Sequence, residues 1–177
     1  SEVEDLLRRA EELIRRAKER LERSLRRVEK LIDDVRRKLE RNNETVKRLV
    51  EEIKEKIKRI KERDMLKKVL EEAKKLAKES EEHLRKLLDD IRKKIEKDIE
   101  DNKKILEEIR RLVEDIRRKL DKEEMLKEIE RLLEDIERVV RETIDTTRRL
   151  LEKIEREVRE VIKSNRELVA DLERTVT

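Results

Sequence analysis

The sequence predicts an all-α protein, an antiparallel up-down-up three-helix bundle of long, nearly straight helices. Three observations carry that prediction. The chain has no glycine and no proline, its apolar residues recur every 18 positions, and only two places in 177 residues read as breaks.

The missing residues come first because they exclude most alternatives. At average usage, roughly 7% Gly and about 5% Pro, on the order of 20 such residues belong in a chain of this length. Glycine and proline supply the φ > 0 turns, hairpins and bulges of β structure. Without them, β-hairpins and Gly-rich phosphate loops are ruled out. Charged residues make up 58% of the chain and hydrophobic ones 34%, a balance that raises the question of disorder. Two features answer it. The 53 basic and 49 acidic residues nearly cancel, and the apolar residues keep a strict period that a disordered segment has no reason to hold.

The first helix is expected over 2–62. Its apolar columns are spaced by 18: Val3, Leu21, Leu39 and Ile57; Ala10, Val28 and Val46; Ile14, Ile32 and Val50. Eighteen residues make five turns at about 3.6 per turn, so the stripe neither drifts nor imposes a supercoil of either hand. The second helix is expected over 65–120, with Leu70, Leu88 and Leu106 in one column and Ala73, Ile91 and Ile109 in another. The third, over 122–176, repeats the pattern in Leu126, Ile144 and Ile162 and in Ile136, Ile154 and Leu172. The breaks are read from caps. Asp64 can cap a helix starting at Met65, and Asp121 has Glu124 three residues on, the spacing of a capping box. Polar clusters such as Asn42-Asn43-Glu44-Thr45 and Ser80-Glu81-Glu82-His83 resemble loops, but the period runs through them in phase. Matched lengths and short connections imply antiparallel neighbours. Residues 1–177 are expected to form a single domain.

The informative positions are polar residues inside the apolar stripes. Ser24 and Asn42 share a column with Leu6 and Ile60, while Ser80 and Asp98 share one with Ile116. Asn102 follows Leu66 and Leu84, Thr147 and Asn165 follow Ile129, and Thr143 lies between Met125 and Val161. Folding the segments up-down-up at the two breaks gathers these residues into two layers. Asp98, Asn102, Thr143 and Thr147 come level with Ser24; Ser80, His83, Ser164 and Asn165 come level with Asn42 and Asn43. The layers fall one repeat apart, roughly 27 Å by helical rise. The physical need is clear: a buried polar group without a partner costs about 1–3 kcal/mol, so such groups must meet. A shifted register would strand them in hydrocarbon.

With these features the whole chain resembles de novo designed helical bundles with buried hydrogen-bond networks. The resemblance rests on the 18-residue period, the absence of aromatic, Gly and Pro residues, and surface text such as Glu11-Glu12-Leu13-Ile14-Arg15-Arg16. Groups such as Ser24/Asn102/Thr147 and Asn42/Ser80/Asn165 are similar to the network layers of that class. It implies a synthetic structural scaffold with no native substrate. One departure is the links, which carry none of the Gly or Pro usual in designed loops.

No residue reads as catalytic, cofactor-binding or metal-ligating. His83 is the one histidine, with no second histidine or any cysteine beside it, and reads as a hydrogen-bonding member of the Asn42/Asn43 layer. Asp98 reads as a network acceptor, since catalysis would also need a pocket and a second group. Lysines and arginines alternate with acidic residues and aromatics are absent, so no nucleic-acid face is expected. No apolar run approaches the ~18 residues of a membrane span. The acidic Ser1-Glu2-Val3-Glu4-Asp5 is not expected to act as a signal or transit peptide. Neither a small-molecule substrate nor a cofactor is expected. The favoured state is a monomer. The alternative is an interaction module that self-associates or seats a partner helix in a larger bundle. Idealised sequences tend to be hyperstable, so melting above ~90 °C is expected.

Overall fold

The computed structural model describes residues 2–120 and 122–176. It contains three helices: α1 (Glu2–Arg59), α2 (Arg63–Lys119) and α3 (Glu123–Val176), with no strand among the described residues. The protein is an all-α three-helix bundle. Helix α1 runs unbroken through Asn42-Asn43-Glu44-Thr45, α2 through Ser80-Glu81-Glu82-His83, and α3 through Thr146-Thr147 and Ser164-Asn165. Polar residues of this kind cost a helix only tenths of a kcal/mol each, about 0.7 at most, which the surrounding apolar stripe outweighs.

The start of α2 corrects one expected cap. Helix α2 begins at Arg63, two residues before the Met65 start expected from Asp64. The Glu62 carbonyl accepts the first helical bond, from the Leu66 N–H at 3.2 Å, so Glu62 holds the cap position. Asp64 falls in the first turn, where its charge meets the positive end of the helix dipole. Helix α3 likewise starts after Lys122, whose carbonyl accepts from the Leu126 N–H at 3.2 Å, and the cap expected at Asp121 lies outside the described residues. At the end of α1 the Ile60 N–H closes a tighter turn onto the Ile57 carbonyl at 3.2 Å. No described residue has a positive φ. The described link residues therefore have no need of glycine.

The chain divides into two compact units, Ser1–Lys30 with Lys93–Leu151, and Leu31–Arg92 with Glu152–Thr177. Each takes one stretch from each helix. In the first unit, Arg9 pairs with Asp115 (3.6 Å) and Arg27 with Asp98 (3.3 Å), so α1 and α2 run in opposite directions. Arg117 reaches Glu130 across the turn into α3 at 2.7 Å. In the second unit, Arg36 pairs with Glu157 and Asn165 bonds Asn42, so α1 and α3 run together. Lys74 meets Glu173, and Arg92 meets Glu155, which sets α2 against α3. Both units thus read up-down-up.

The core of the first unit follows the period of the sequence. Burial along α1 steps through Leu6, Ala10, Leu13, Ala17, Leu21 and Ser24, five steps in 18 residues. In the second unit, Val46, Val50, Ala73, Leu84, Ile154, Val158 and Leu172 are buried. No aromatic residue is available, so the apolar part of both cores is filled by aliphatic side chains, from alanine to leucine and isoleucine.

Candidate functional site

Polar side chains enter each core, and they do so in one cluster per unit. In the first unit Ser24, from the buried stripe of α1, faces Asp98 and Asn102, one turn apart on α2. Such i, i+4 neighbours share a helix face. Ser24 Oγ donates to Asp98 Oδ2 at 3.2 Å and accepts from Asn102 Nδ2 at 3.1 Å. The other Asp98 oxygen pairs with Arg27 Nη1 at 3.3 Å. Only 7% of the Asp98 side chain is exposed against 61% of Arg27, so a solvated guanidinium reaches inward to a buried carboxylate. The sequence reading missed Arg27. The signal was there: Arg27 lies three residues after Ser24 and therefore on an adjoining face.

Thr143 and Thr147 of α3 are buried but do not join this cluster. Their hydroxyls bond backward along their own helix, to the Val139 and Thr143 carbonyls, each at 2.8 Å. A threonine hydroxyl on a helix reaches the i−4 carbonyl by rotation about one bond, and that local bond wins over a longer reach. The expected three-helix layer at this level is thus a two-helix cluster. Thr146 is exposed.

The second unit does connect all three helices. Asn42 Nδ2 donates to Ser80 Oγ at 2.8 Å, and Ser80 Oγ donates to Asn42 Oδ1 at 3.1 Å. Asn165 Nδ2 donates to Asn42 Oδ1 at 3.0 Å and to Ser80 Oγ at 3.4 Å. Turning its amide nitrogen toward these two acceptors points the Asn165 oxygen away, and that oxygen is buried without a partner. The Asn43 side-chain oxygen is in the same condition. Asn43 and Ser164 are half-buried beside the cluster and make none of its bonds. His83, expected among these residues, is exposed instead. It sits at the edge of the α2 stripe, one position before the buried Leu84, and the 100° step per residue turns it outward.

Cross-helix ion pairs flank the second cluster. Arg36 grips Glu157 with two bonds of 3.2 and 3.3 Å. Glu81 accepts from both Arg85 and Arg166. Burial pushes the Glu81 carboxyl up, but the bonds from Arg85 and Arg166 outweigh it and hold the group below the usual carboxylate range.

Comparison with known proteins adds little to this geometry. A scan against protein-family models finds no match, and a search of curated proteins finds none either. Among solved structures the chain is similar to a computationally designed three-helix bundle, at 18% identity over 99% of this chain and 86% of that one. The TM-score of 0.36 is too low to support any argument from the likeness.

The arrangement is suited to holding helices together. In both clusters most donors and acceptors are turned on one another. Among the described residues no group of three or more His, Cys, Asp or Glu is placed to hold a metal ion. No described helix is long and apolar enough to cross a membrane.

Proposed function

We propose that this chain is a designed structural scaffold without a substrate, in which buried polar clusters fix which helices meet and in what register. The observation that carries the reading is the sharing of one cluster by three helices: Asn42 of α1, Ser80 of α2 and Asn165 of α3. Sliding any one helix by a residue turns its polar group about 100° out of the cluster. Each group so stranded costs about 1–3 kcal/mol, a penalty that an all-aliphatic core does not impose. The 18-residue regularity and the absence of aromatic, Gly and Pro residues support a designed origin. The same geometry supports a non-enzymatic role. Asp98, the one deeply buried carboxylate among the described residues, has both oxygens engaged by Ser24 and Arg27.

The test compares the parent with a variant carrying Asn42→Leu, Ser80→Ala and Asn165→Leu. Removing all partners together strands nothing, so the variant is expected to match or exceed the parent in denaturant melts. It is also expected to lose uniqueness, with broadened NMR lines or mixed oligomers. A variant that keeps sharp lines and one oligomeric state defeats the proposal. On the same reading 1–177 folds as one domain, because every helix runs unbroken from one unit into the other. Melting is then a single transition above ~90 °C, with far-UV dichroism and methyl signals from both units changing together. Two separated transitions would assign each unit its own stability.

A second reading has one observation in its favour. Leu132 and Val139, seven residues apart on α3, are 48% and 40% exposed and lie on one outer face. An interaction module would use such a face for a second copy or a partner helix. Two side chains fall far short of the ~800 Å² per partner of a stable interface, which is why the monomeric scaffold is favoured. Light scattering over a concentration series separates the two readings.

A further inference from the structure

The second unit carries a cleft of about 500 Å³ between α2 and α3 whose lining matches neither the core nor the ordinary mixed-charge surface. Its apolar part is Leu88, which is buried, and Ile162, which is half-buried. Around them stand Arg85, Arg159, Lys163 and Arg166, with Asp89 as the one carboxylate of the lining. Their ion pairs do not cancel this charge. Arg85 and Arg166 share Glu81, Arg159 lies 3.9 Å from Glu155, and Asp89 is paired with Arg92. Lys163 pairs with no described residue. With those partners included, five cations face three carboxylates, an excess of two in a chain whose whole formal charge is +4.

The cleft above the Ser24 cluster in the first unit, about 430 Å³, makes the contrast. It is also cationic, through Arg20, Arg23, Arg27 and Lys104, but every lining residue is polar or charged. An anion there exchanges water for contacts on exposed side chains, which are worth little. A cleft between α1 and α2 also sets arginines, Arg9, Arg16 and Arg111, over aliphatic carbon, Leu13 and Leu112. There Glu12 and Glu108 offset two of the three cations, whereas the α2–α3 cleft keeps its excess.

We propose that this cleft binds a small amphipathic anion: one carboxylate or sulfate head on a short, unbranched alkyl tail. The head sits among Lys163, Arg159 and Arg166, and the tail lies on Leu88 and Ile162. The exposed head contacts are screened, so the tail sets the affinity and the cationic rim sets the sign of the head. Full removal of a methylene from water is worth a factor of about four in binding. In an open cleft, about two- to threefold per methylene is expected.

The experiment titrates the full chain with octanoate, decanoate and decanol below their aggregation limits, following the Leu88 and Ile162 methyl signals by NMR. Decanoate is expected to bind four- to tenfold more tightly than octanoate, and decanol about two- to fivefold more weakly than decanoate. Charge reversal by Arg159→Glu with Lys163→Glu is expected to weaken decanoate at least tenfold, and the milder Lys163→Gln by a smaller factor if the double variant is poorly folded. The matched reversal Arg148→Glu with Arg149→Glu, in the first unit, leaves binding unchanged. Three results overturn the proposal: equal binding of octanoate and decanoate, equal weakening by the Arg148/Arg149 variant, or methyl shifts spread evenly over both units.

Discussion

The two polar clusters solve one problem with different chemistry. The first uses a charge: Asp98 accepts from Ser24 and is neutralised by Arg27, a side chain that is itself mostly in water. The second uses only neutral groups, linked amide to hydroxyl to amide across three helices. The charged cluster is local, joining α1 to α2, and leaves no buried side-chain atom without a partner. The neutral cluster ties all three helices but strands the Asn165 oxygen. An asparagine side chain brings both donors and an acceptor, so facing it toward two acceptors on one side leaves its own oxygen unused. Connecting more helices costs complete satisfaction.

That difference predicts unequal responses to a single substitution. Asn42→Leu should have the largest effect, about 2–3 kcal/mol in denaturant melts, because Ser80 and Asn165 both lose the Asn42 oxygen while staying buried. Asn102→Leu should cost less, about 1 kcal/mol, since Ser24 keeps its bond to Asp98. If the two substitutions prove equal, the second cluster is no more tightly coupled than the first.

These clusters also mark how far the sequence could be read. The helices were legible because burial follows the 18-residue column rule, through Asn42-Asn43 as well as through leucines. Which polar residues share a unit was legible too, since an up-down-up fold with short links leaves little freedom in level. Bonding partners were not. Column position says that Thr147 is buried, but not that its hydroxyl finds the Thr143 carbonyl before it finds another helix. Level places His83 near Asn42, whereas one residue of helical rotation turns it to solvent. The cap expected at Asp64 failed for a related reason. Asp64 has the right side chain for a cap, but the backbone turned at Glu62, and no sequence rule ranked those neighbours.

The ion pairs around the second cluster sharpen the comparison through pH. The Glu81 carboxyl is held below its ordinary range in the fold: burial raises it, and the bonds from Arg85 and Arg166 lower it further. A depressed carboxylate stabilises the fold above its unfolded pKa, ordinarily near 4.5, and the contribution is lost as pH falls through the folded value. Both arginines are about 60% exposed or more, so screening limits the pair to about 0–1 kcal/mol. Glu81→Gln should therefore destabilise slightly at pH 7, and the gap from the parent should narrow as the pH falls below the unfolded value and through the lower folded one. A gap that persists in acid would assign the effect to packing.

The smallest effect is expected at Thr147, and it tests whether α3 contributes polar contacts to the first cluster at all. Thr147 is fully buried, and its hydroxyl donates to the Thr143 carbonyl at 2.8 Å. Thr147→Val removes that hydroxyl while nearly keeping its shape. The Thr143 carbonyl keeps its helical partner, the backbone N–H four residues on, so nothing buried is left unsatisfied. Stability should change by less than about 0.5 kcal/mol in either direction, since backward bonds of this kind add little to a helix. A loss of about 1–2 kcal/mol would mean that the hydroxyl serves Ser24 or Asn102 across the core. A double variant with Asn102→Leu then decides between the two. Additive costs keep α3 outside the cluster, and costs smaller than additive place Thr147 within it.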